Sequence, residues 1–219
     1  MCTNRLLGTQ FANKIVKVTS DLLLQGAVSE YETLAGLNHP SIVGVFGLSL
    51  EETTQKASLV MEFLPGQSLS QLLREGRIFD GRAYIEIEVK ALALQLLSAL
   101  LYLDSKGFVH GDINPANIIL SKIHATLIDF QTVCAFSLAG PQGVTGTPPY
   151  QAPEMWFSAV HGSKVDVWAL GLVLARLMRS SVIPMSVAGV ELLAWCLQSE
   201  PLKRCSAAQA LGCSWFYTL

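Results

Sequence analysis

The strongest constraint on the fold of this 219-residue chain is a pair of predicted helices, 82–105 and 164–179. The second is apolar on all sides and the first becomes so toward its C-terminal half, so other elements must surround both. A membrane span needs about 20 predominantly apolar residues in a row. The first helix is interrupted by Gln95 and Ser98, and the second by Asp166 and Arg176. The sequence therefore predicts a globular protein with buried helices and no membrane partner.

The composition narrows the class of protein. Apolar residues make up 51% of the chain and charged residues 15%, against about 25% charged residues in an average soluble domain. Such an apolar content excludes an intrinsically disordered chain. The net charge of −2 lacks the basic surplus of a general nucleic-acid-binding protein, so no nucleic-acid partner is expected.

The five cysteines predict free thiols rather than a disulfide framework. Their number is odd, no pair has C-x-x-C spacing, and no histidine follows at zinc-finger spacing. A chain of this length can also bury a sufficient core without a disulfide or a structural metal. We expect a cytoplasmic protein, because the cytoplasm keeps thiols reduced.

The pattern of elements changes at Pro65-Gly66. Before this break the sequence predicts a helix at 27–37 and strands at 11–18, 41–50 and 56–63. After it the chain is mainly helical, with short strands between the helices: strands at 108–110, 118–120 and 125–128, and helices at 68–74, 82–105, 164–179, 187–198 and 206–211. The layout predicts an α+β fold with two lobes, a hinge near 62–65 and a ligand cleft between the lobes.

The chemistry of the chain is concentrated in the segment VHGDINPANIIL, residues 109–120. Asp112 lies five residues before Asn117, and a second carboxylate, Asp129, ends a short predicted strand in LIDF. Two carboxylates and an amide on adjacent loops are hard oxygen ligands, which suit Mg²⁺ and the phosphates it binds. These residues point to phosphoryl transfer.

The same segment resembles the catalytic loop of protein kinases, H-R-D-L-x-x-x-N, which is followed in that family by D-F-G. The resemblance covers nearly the whole chain. Three later segments are similar to the end of the activation segment, the buried central helix and the closing segment of the family: GTPPYQAPE (146–154), DVWALGLVL (166–174) and EPLKRCSAAQAL (200–211). The resemblance implies a two-lobed α+β protein-kinase-like fold. A partial N-lobe at 1–63 and a C-lobe at 64–219 would form a single kinase domain.

The resemblance also implies roles for the loop residues. Asp112 would accept or orient the proton of the substrate hydroxyl, and Asn117 and Asp129 would hold Mg²⁺. Asn114 stands where Ser/Thr-type kinases have a lysine near the γ-phosphate, so it can donate a hydrogen bond there but cannot neutralise charge. Thr147 matches the threonine of the Ser/Thr class that bonds the catalytic aspartate.

The ATP site is implied by FANK, residues 11–14, which stands where the family has V-A-I-K. Ala12 and Lys14 share one face of a strand, so Ala12 can lie over adenine while Lys14 reaches the α/β-phosphates. Lys17 is the alternative lysine, on the opposite face. Glu30 is the expected ion-pair partner of Lys14, with Glu32 as the alternative.

The segment LVMEFLPGQSL resembles the kinase hinge. By this resemblance Met61 guards the back of the adenine pocket, and Glu62 to Leu64 offer backbone groups to the base. Ile119 forms the floor of the pocket. ATP and Mg²⁺ are the implied cofactors.

Three other residues are implied to be structural. Glu154 and Arg204 are expected to form a buried ion pair, and Asp166 is expected to anchor the catalytic loop through its backbone.

The sequence departs from the family in two larger features. No G-x-G-x-x-G motif precedes Lys14, so the first strand and the phosphate-covering loop are expected either to lie before Met1 or to be missing from the protein. Residues 2–14 then correspond to a second strand, a turn at Gly8 and a third strand. The segment 180–186, SSVIPMS, is shorter than its family counterpart, which helps to dock protein substrates.

Two single-residue departures affect the loops directly. Gly111 replaces an arginine that normally pairs with a phosphate on the activation segment, so switching by phosphorylation there is not expected. Gln131 replaces the glycine of D-F-G, and glutamine resists backbone angles that glycine allows.

These observations predict an ATP-dependent kinase that phosphorylates a Ser or Thr of a protein substrate. The missing lid, the departures at Gly111, Asn114 and Gln131 and the shortened C-lobe favour the alternative, a pseudokinase that acts as a binding or scaffold module. A small-molecule kinase is less favoured, because GTPPYQAPE resembles a peptide-binding segment.

Overall fold

The computed structural model describes residues 2–3, 10–51, 53–76, 85–135, 146–157, 162–179 and 185–217, with the backbone alone at 2, 3 and 135. The N-terminal part forms a four-stranded antiparallel sheet in the order β1-β2-β4-β3, whose strands are β1 (Cys2–Thr3), β2 (Gln10–Lys17), β3 (Val45–Glu51) and β4 (Lys56–Glu62). The three strands predicted in this region are confirmed, although β3 begins later than predicted. The predicted turn at Gly8 lies outside the described residues.

Helix α1 (Asp21–Ala35) packs against this sheet through the buried side chains of Ala27, Glu30 and Leu34. It begins at Asp21 rather than at residue 27 as predicted, because Ser20 caps it by accepting a hydrogen bond from the N–H of Leu23. Leu22 and Leu23 in its first turn are exposed, so this turn lacks the amphipathic pattern that marks a helix.

The remainder of the chain is mainly helical, with short strands between the helices. Its helices are α2 (Leu69–Glu75), α3 (Glu86–Ser105), α4 (Lys164–Arg179), α5 (Val187–Cys196) and α6 (Ala207–Leu211). Its strands are β5 (Gln67–Ser68), β6 (Phe108–Val109), β7 (Ile118–Ser121), β8 (His124–Leu127) and β9 (Cys134–Ala135). The predicted α+β layout is confirmed, with a small antiparallel sheet before a mainly helical remainder.

The two helices that constrained the fold form the core of this helical part. Helix α4 has its predicted bounds, and α3 is confirmed from Glu86 onward. Helix α4 is mostly buried, whereas α3 buries one face and exposes Ile87 and Leu94. Both helices belong to the same hydrophobic cluster. Of the segment 180–186, only Met185 and Ser186 are among the described residues. No helix in the described part of the chain is long and apolar enough to span a membrane.

A buried ion pair links the activation-segment end to the closing segment. The Arg204 guanidinium donates to both Glu154 carboxylate oxygens at 2.6 and 2.8 Å, and to the carbonyls of Gln198 and Lys164 at 2.9 and 3.0 Å. The Arg204 side chain is 0% exposed, and it stacks 5.0 Å from the ring centre of Trp168. The predicted structural pair is confirmed, and its carbonyl partners satisfy the donors that burial would otherwise leave unpaired.

We expect Arg204→Met to lower the free energy of unfolding by about 3 to 5 kcal/mol, because Glu154 would keep a largely buried charge without its partner. Urea denaturation measures the change. Lys203→Met is the matched control: its ion pair with Glu200 is more than half exposed on both sides, so a loss within about 0.5 kcal/mol is expected there. Equal losses in the two variants would contradict this account.

Candidate active site

Lys14 lies at the centre of an ion-pair cluster between the sheet and the helical part. Its Nζ is 2.8 and 3.0 Å from the two carboxylate oxygens of Glu30 on α1, and 2.7 Å from Oδ1 of Asp129, which follows β8. The Lys14 side chain is 24% exposed and that of Glu30 only 1%. Lys14 and Asp129 lie 115 positions apart in the sequence. The ammonium group of Lys14 joins them in an ion pair that is partly shielded from water.

The alternative residues lie elsewhere. Lys17 is on β2 opposite Lys56 and is exposed, and Glu32 is exposed on α1. The structure brings Lys14 and Glu30 together and places neither Lys17 nor Glu32 in the cluster.

Asp129 reaches this cluster through an unusual backbone conformation. Its φ is +64°, in the left-handed region, which costs roughly 1 kcal/mol for a residue other than glycine. The backbone of Gln131 does not enter that region, so a glycine is not needed at position 131 to aim the carboxylate. The expected conflict at Gln131 therefore does not occur.

Phe130 fixes the segment that carries Asp129. Its N–H donates to Oε1 of Glu30 at 3.2 Å, and its buried ring packs edge-on against His110 with 4.8 Å between the ring centres. Thr132 adds a hydrogen bond from its hydroxyl to the His110 carbonyl at 2.8 Å. Neither residue was predicted as part of the site, although both lie within three positions of Asp129 in the sequence.

The Asp112 carboxylate accepts four hydrogen bonds. Its Oδ1 accepts from the Thr147 N–H and hydroxyl, both at 2.7 Å, and from the Asn114 amide at 2.9 Å. Its Oδ2 accepts from the Asn117 amide at 3.0 Å. Because a carboxylate has about four acceptor positions shared by two oxygens, Oδ2 retains the capacity for another donor. The network holds Asp112 in one orientation.

Asn114 and Asn117 act on Asp112 through their amide nitrogens. Asn114 also accepts from the Ala116 N–H at 2.8 Å, which caps the short 3₁₀ helix Pro115–Asn117. Asn114 therefore helps to orient the Asp112 carboxylate. Asn117 uses its nitrogen on Asp112, so its amide oxygen is the atom that could face a cation.

The loop that carries Asp112 is attached to helix α4 by Asp166. This carboxylate accepts from the N–H groups of His110 and Gly111 at 2.7 and 2.9 Å, which confirms its predicted role. Burial raises the pKa of Asp166 to about 7, and the two backbone hydrogen bonds act against that shift. Gly111 has a φ of +77°, a conformation that glycine adopts without strain.

The residues expected to bind adenine surround the junction between the sheet and the helical part. Ala12 pairs with Met61 across β2 and β4, and such cross-strand pairs share one face of the sheet. Glu62 ends β4, and Leu64 lies in the segment that follows, where its carbonyl accepts a hydrogen bond from the Gly66 N–H at 2.8 Å. This leaves the Leu64 N–H as the group that could donate to a base. Ile119 lies on β7, partly buried.

The donor set at the site fits a magnesium ion bound together with phosphates. Asn117 and Asp129 offer an amide oxygen and a carboxylate from neighbouring segments of the chain. Mg²⁺ prefers one or two carboxylates plus phosphates and water to a cage made by the protein alone. In keeping with this, the described residues contain no group of three or more His, Cys, Asp or Glu side chains that could hold a metal without other ligands.

We expect His110 to make stability depend on pH. Burial lowers its pKa to about 4, against an opposing effect of Asp112, whereas the unfolded value is about 6.5. The unfolded state therefore binds this proton first as the pH falls, and the contribution of His110 to stability decreases on acidification from about 6.5 to 4. The raised pKa of Asp166 acts in the opposite direction, so the effect of His110 is read from the difference between two proteins that both keep Asp166. Between pH 7.5 and 5 the wild type should lose about 2 kcal/mol more than His110→Phe in urea denaturation. Parallel losses would contradict the prediction.

Comparisons with known proteins agree with this geometry. A family model described as the protein kinase domain matches residues 1–186. Similar proteins include sperm motility kinase 2B of Mus musculus, 34% identical over 88% of this chain and 39% of that protein. A probable serine/threonine-protein kinase of Dictyostelium discoideum is 28% identical over 84% of this chain and 31% of its own length.

A third relative is the MAP kinase kinase kinase wis4 of Schizosaccharomyces pombe, 31% identical over 81% of this chain and 14% of that protein. The chain thus spans less than half the length of each of these relatives. The match to the family model covers the sheet, the catalytic loop and helix α4. The chain belongs to the protein kinase family.

Proposed function

We propose that this protein transfers the γ-phosphate of ATP to a Ser or Thr hydroxyl of a protein substrate. The observation that carries the proposal is the Asp112 carboxylate, which four hydrogen bonds from Asn114, Asn117 and Thr147 hold in one orientation. A positioned carboxylate next to a phosphate-binding site is what phosphoryl transfer requires of a protein, because positioning and charge stabilisation supply most of the catalysis.

Asp112 accepts or orients the proton of the attacking hydroxyl. Its Oδ2 is the reacting oxygen, because Oδ1 already accepts three hydrogen bonds and Oδ2 one. Thr147 belongs to the activation-segment end and contacts Asp112 directly, so a peptide bound along that segment would place its hydroxyl near Oδ2. This contact supports the choice of Ser/Thr substrates.

Lys14 binds the α/β-phosphates of ATP, with Glu30 holding its ammonium group in place. Ala12, Met61, Ile119 and the backbone from Glu62 to Leu64 bind the adenine. Asn117 and Asp129 would hold Mg²⁺, which supplies neutralisation of the charge on the phosphates when it is bound. Asp129 already lies 2.7 Å from Lys14, so the lysine and the metal ligand meet at the same phosphates.

We also propose that residues 1–219 form one kinase domain, with a partial N-lobe at 1–63 and a C-lobe at 64–219, and that the protein is cytoplasmic. The hydrophobic cluster that runs from α1 through β4 to α6 supports the single domain. The cytoplasmic location is supported by the four described cysteines, which are all free thiols.

Phosphate transfer to a generic basic protein tests the proposed activity. We expect Asp112→Asn to lower the rate by about 10² to 10⁴, the usual contribution of a positioned general base. Lys14→Met should abolish most of the activity, while the matched substitution Lys17→Met should leave it unchanged, because only Lys14 is in the ion-pair cluster. Equal rates for wild type and Asp112→Asn would overturn the enzyme assignment.

The alternative, a pseudokinase that serves as a binding module, is favoured by one observation. Lys14 and Asp129 form an ion pair with each other, so nucleotide binding must replace part of that contact.

Thermal denaturation with and without Mg-ATP separates the two functions. If ATP binds, mass action should raise the melting temperature, since a ligand at about 100 times its Kd adds about 2.7 kcal/mol of stability. Glu30→Gln, which loosens Lys14, should reduce the shift. No shift at millimolar Mg-ATP would favour the binding module.

A further inference from the structure

A groove of about 580 Å³ lies beside the segment that contacts Asp112. Helix α2, helix α4 and the 3₁₀ helix Pro148–Tyr150 form its walls. Its apolar surface comes from the side chains of Leu73, Pro149, Leu172 and Ala175. The groove is therefore wide enough for a peptide side chain. Covering its apolar surface would be favourable, because it removes that surface from water.

The charged residues that line this groove in the described part of the chain are both arginines. Arg176 and Arg179 lie one turn apart on α4, and both are exposed. Arg176 donates to the Tyr150 hydroxyl at 3.0 Å, so its guanidinium group is held against the groove wall. Arg179 makes no hydrogen bond or ion pair with any described residue. The groove thus combines an apolar floor with a localised positive charge.

The groove lies close to the place where Asp112 would meet the hydroxyl of a substrate. Tyr150, which lines the groove, is three residues from Thr147, which bonds Asp112. A 3₁₀ helix rises about 2 Å per residue, and an extended peptide advances about 3.3 Å per residue. A peptide with its hydroxyl at Asp112 would therefore reach the groove within a few residues.

We propose that Arg176 and Arg179 are specificity-determining residues that select protein substrates with Asp or Glu a few residues from the phosphorylated Ser or Thr. This inference rests on the proposed kinase function and adds the substrate class. The guanidinium groups form charge-assisted hydrogen bonds with the acidic side chain, and a neighbouring apolar residue of the substrate covers Leu73 and Leu172. A basic residue at the same position is repelled.

Peptides that contain one serine, with Glu or Lys placed at each flanking position in turn, test the proposal. Two readouts are used: phosphate transfer, and binding of the fluorescein-labelled peptides by fluorescence anisotropy, which needs no catalysis. We expect the wild type to prefer Glu over Lys at one or two positions by about fivefold. The preference should shrink at 0.5 M salt, because exposed charges are screened.

Arg179→Glu should remove or reverse this preference, and Arg179→Gln should weaken it. Lys17→Glu, an equal change of charge at an exposed site on the distant sheet, is the control and should leave it unchanged. A preference for Lys in the wild type, or an unchanged preference in Arg179→Glu, would overturn the proposal. Selective binding without phosphate transfer would refute the kinase activity alone, whereas transfer without selectivity would refute the role of the groove.

Discussion

The candidate site depends on a buried carboxylate at the start of an apolar helix. Asp166 lies near the start of α4, where most of its neighbours on the helix are buried hydrocarbon. Its two oxygens accept the N–H groups of His110 and Gly111. Since an unpaired carboxylate at that depth would be very unfavourable, the loop must stay where it satisfies Asp166. The position of Asp112 follows directly from this constraint.

Glu30 has a similar function on the other side of the site. One of its oxygens accepts from both Lys14 and the Phe130 N–H, so α1, β2 and the Asp129 segment meet at a single side chain. Movement of α1 away from the sheet would break its contact with Lys14, and movement away from the helical part would break its contact with Phe130. The geometry of Lys14 and Asp129, the residues proposed to meet the phosphates, is therefore coupled to the docking of α1, and it is not a property of the loops alone.

The departures from the kinase pattern prove to be compatible with this architecture. Gly111 takes a left-handed conformation that suits glycine, and Asn114 supplies two hydrogen bonds to the Asp112 residue while also capping the next 3₁₀ helix. Gln131 stays in an ordinary backbone region, because the left-handed residue of that segment is Asp129. Each substitution changes local chemistry without displacing the Asp112 carboxylate.

The sequence by itself determined the α+β class and the bounds of α4, and it predicted the residues of the candidate site, because burial patterns and loop spacings are local properties of the chain. It placed the start of α1 too late, since the exposed leucines there bury nothing and the cap is a single serine. It could not show which of Lys14 and Lys17 contacts Glu30, and it could not reveal the groove beside Tyr150. Only the tertiary structure decided these, because ion pairs and grooves join segments that are far apart in sequence, and their distances depend on how the helices pack.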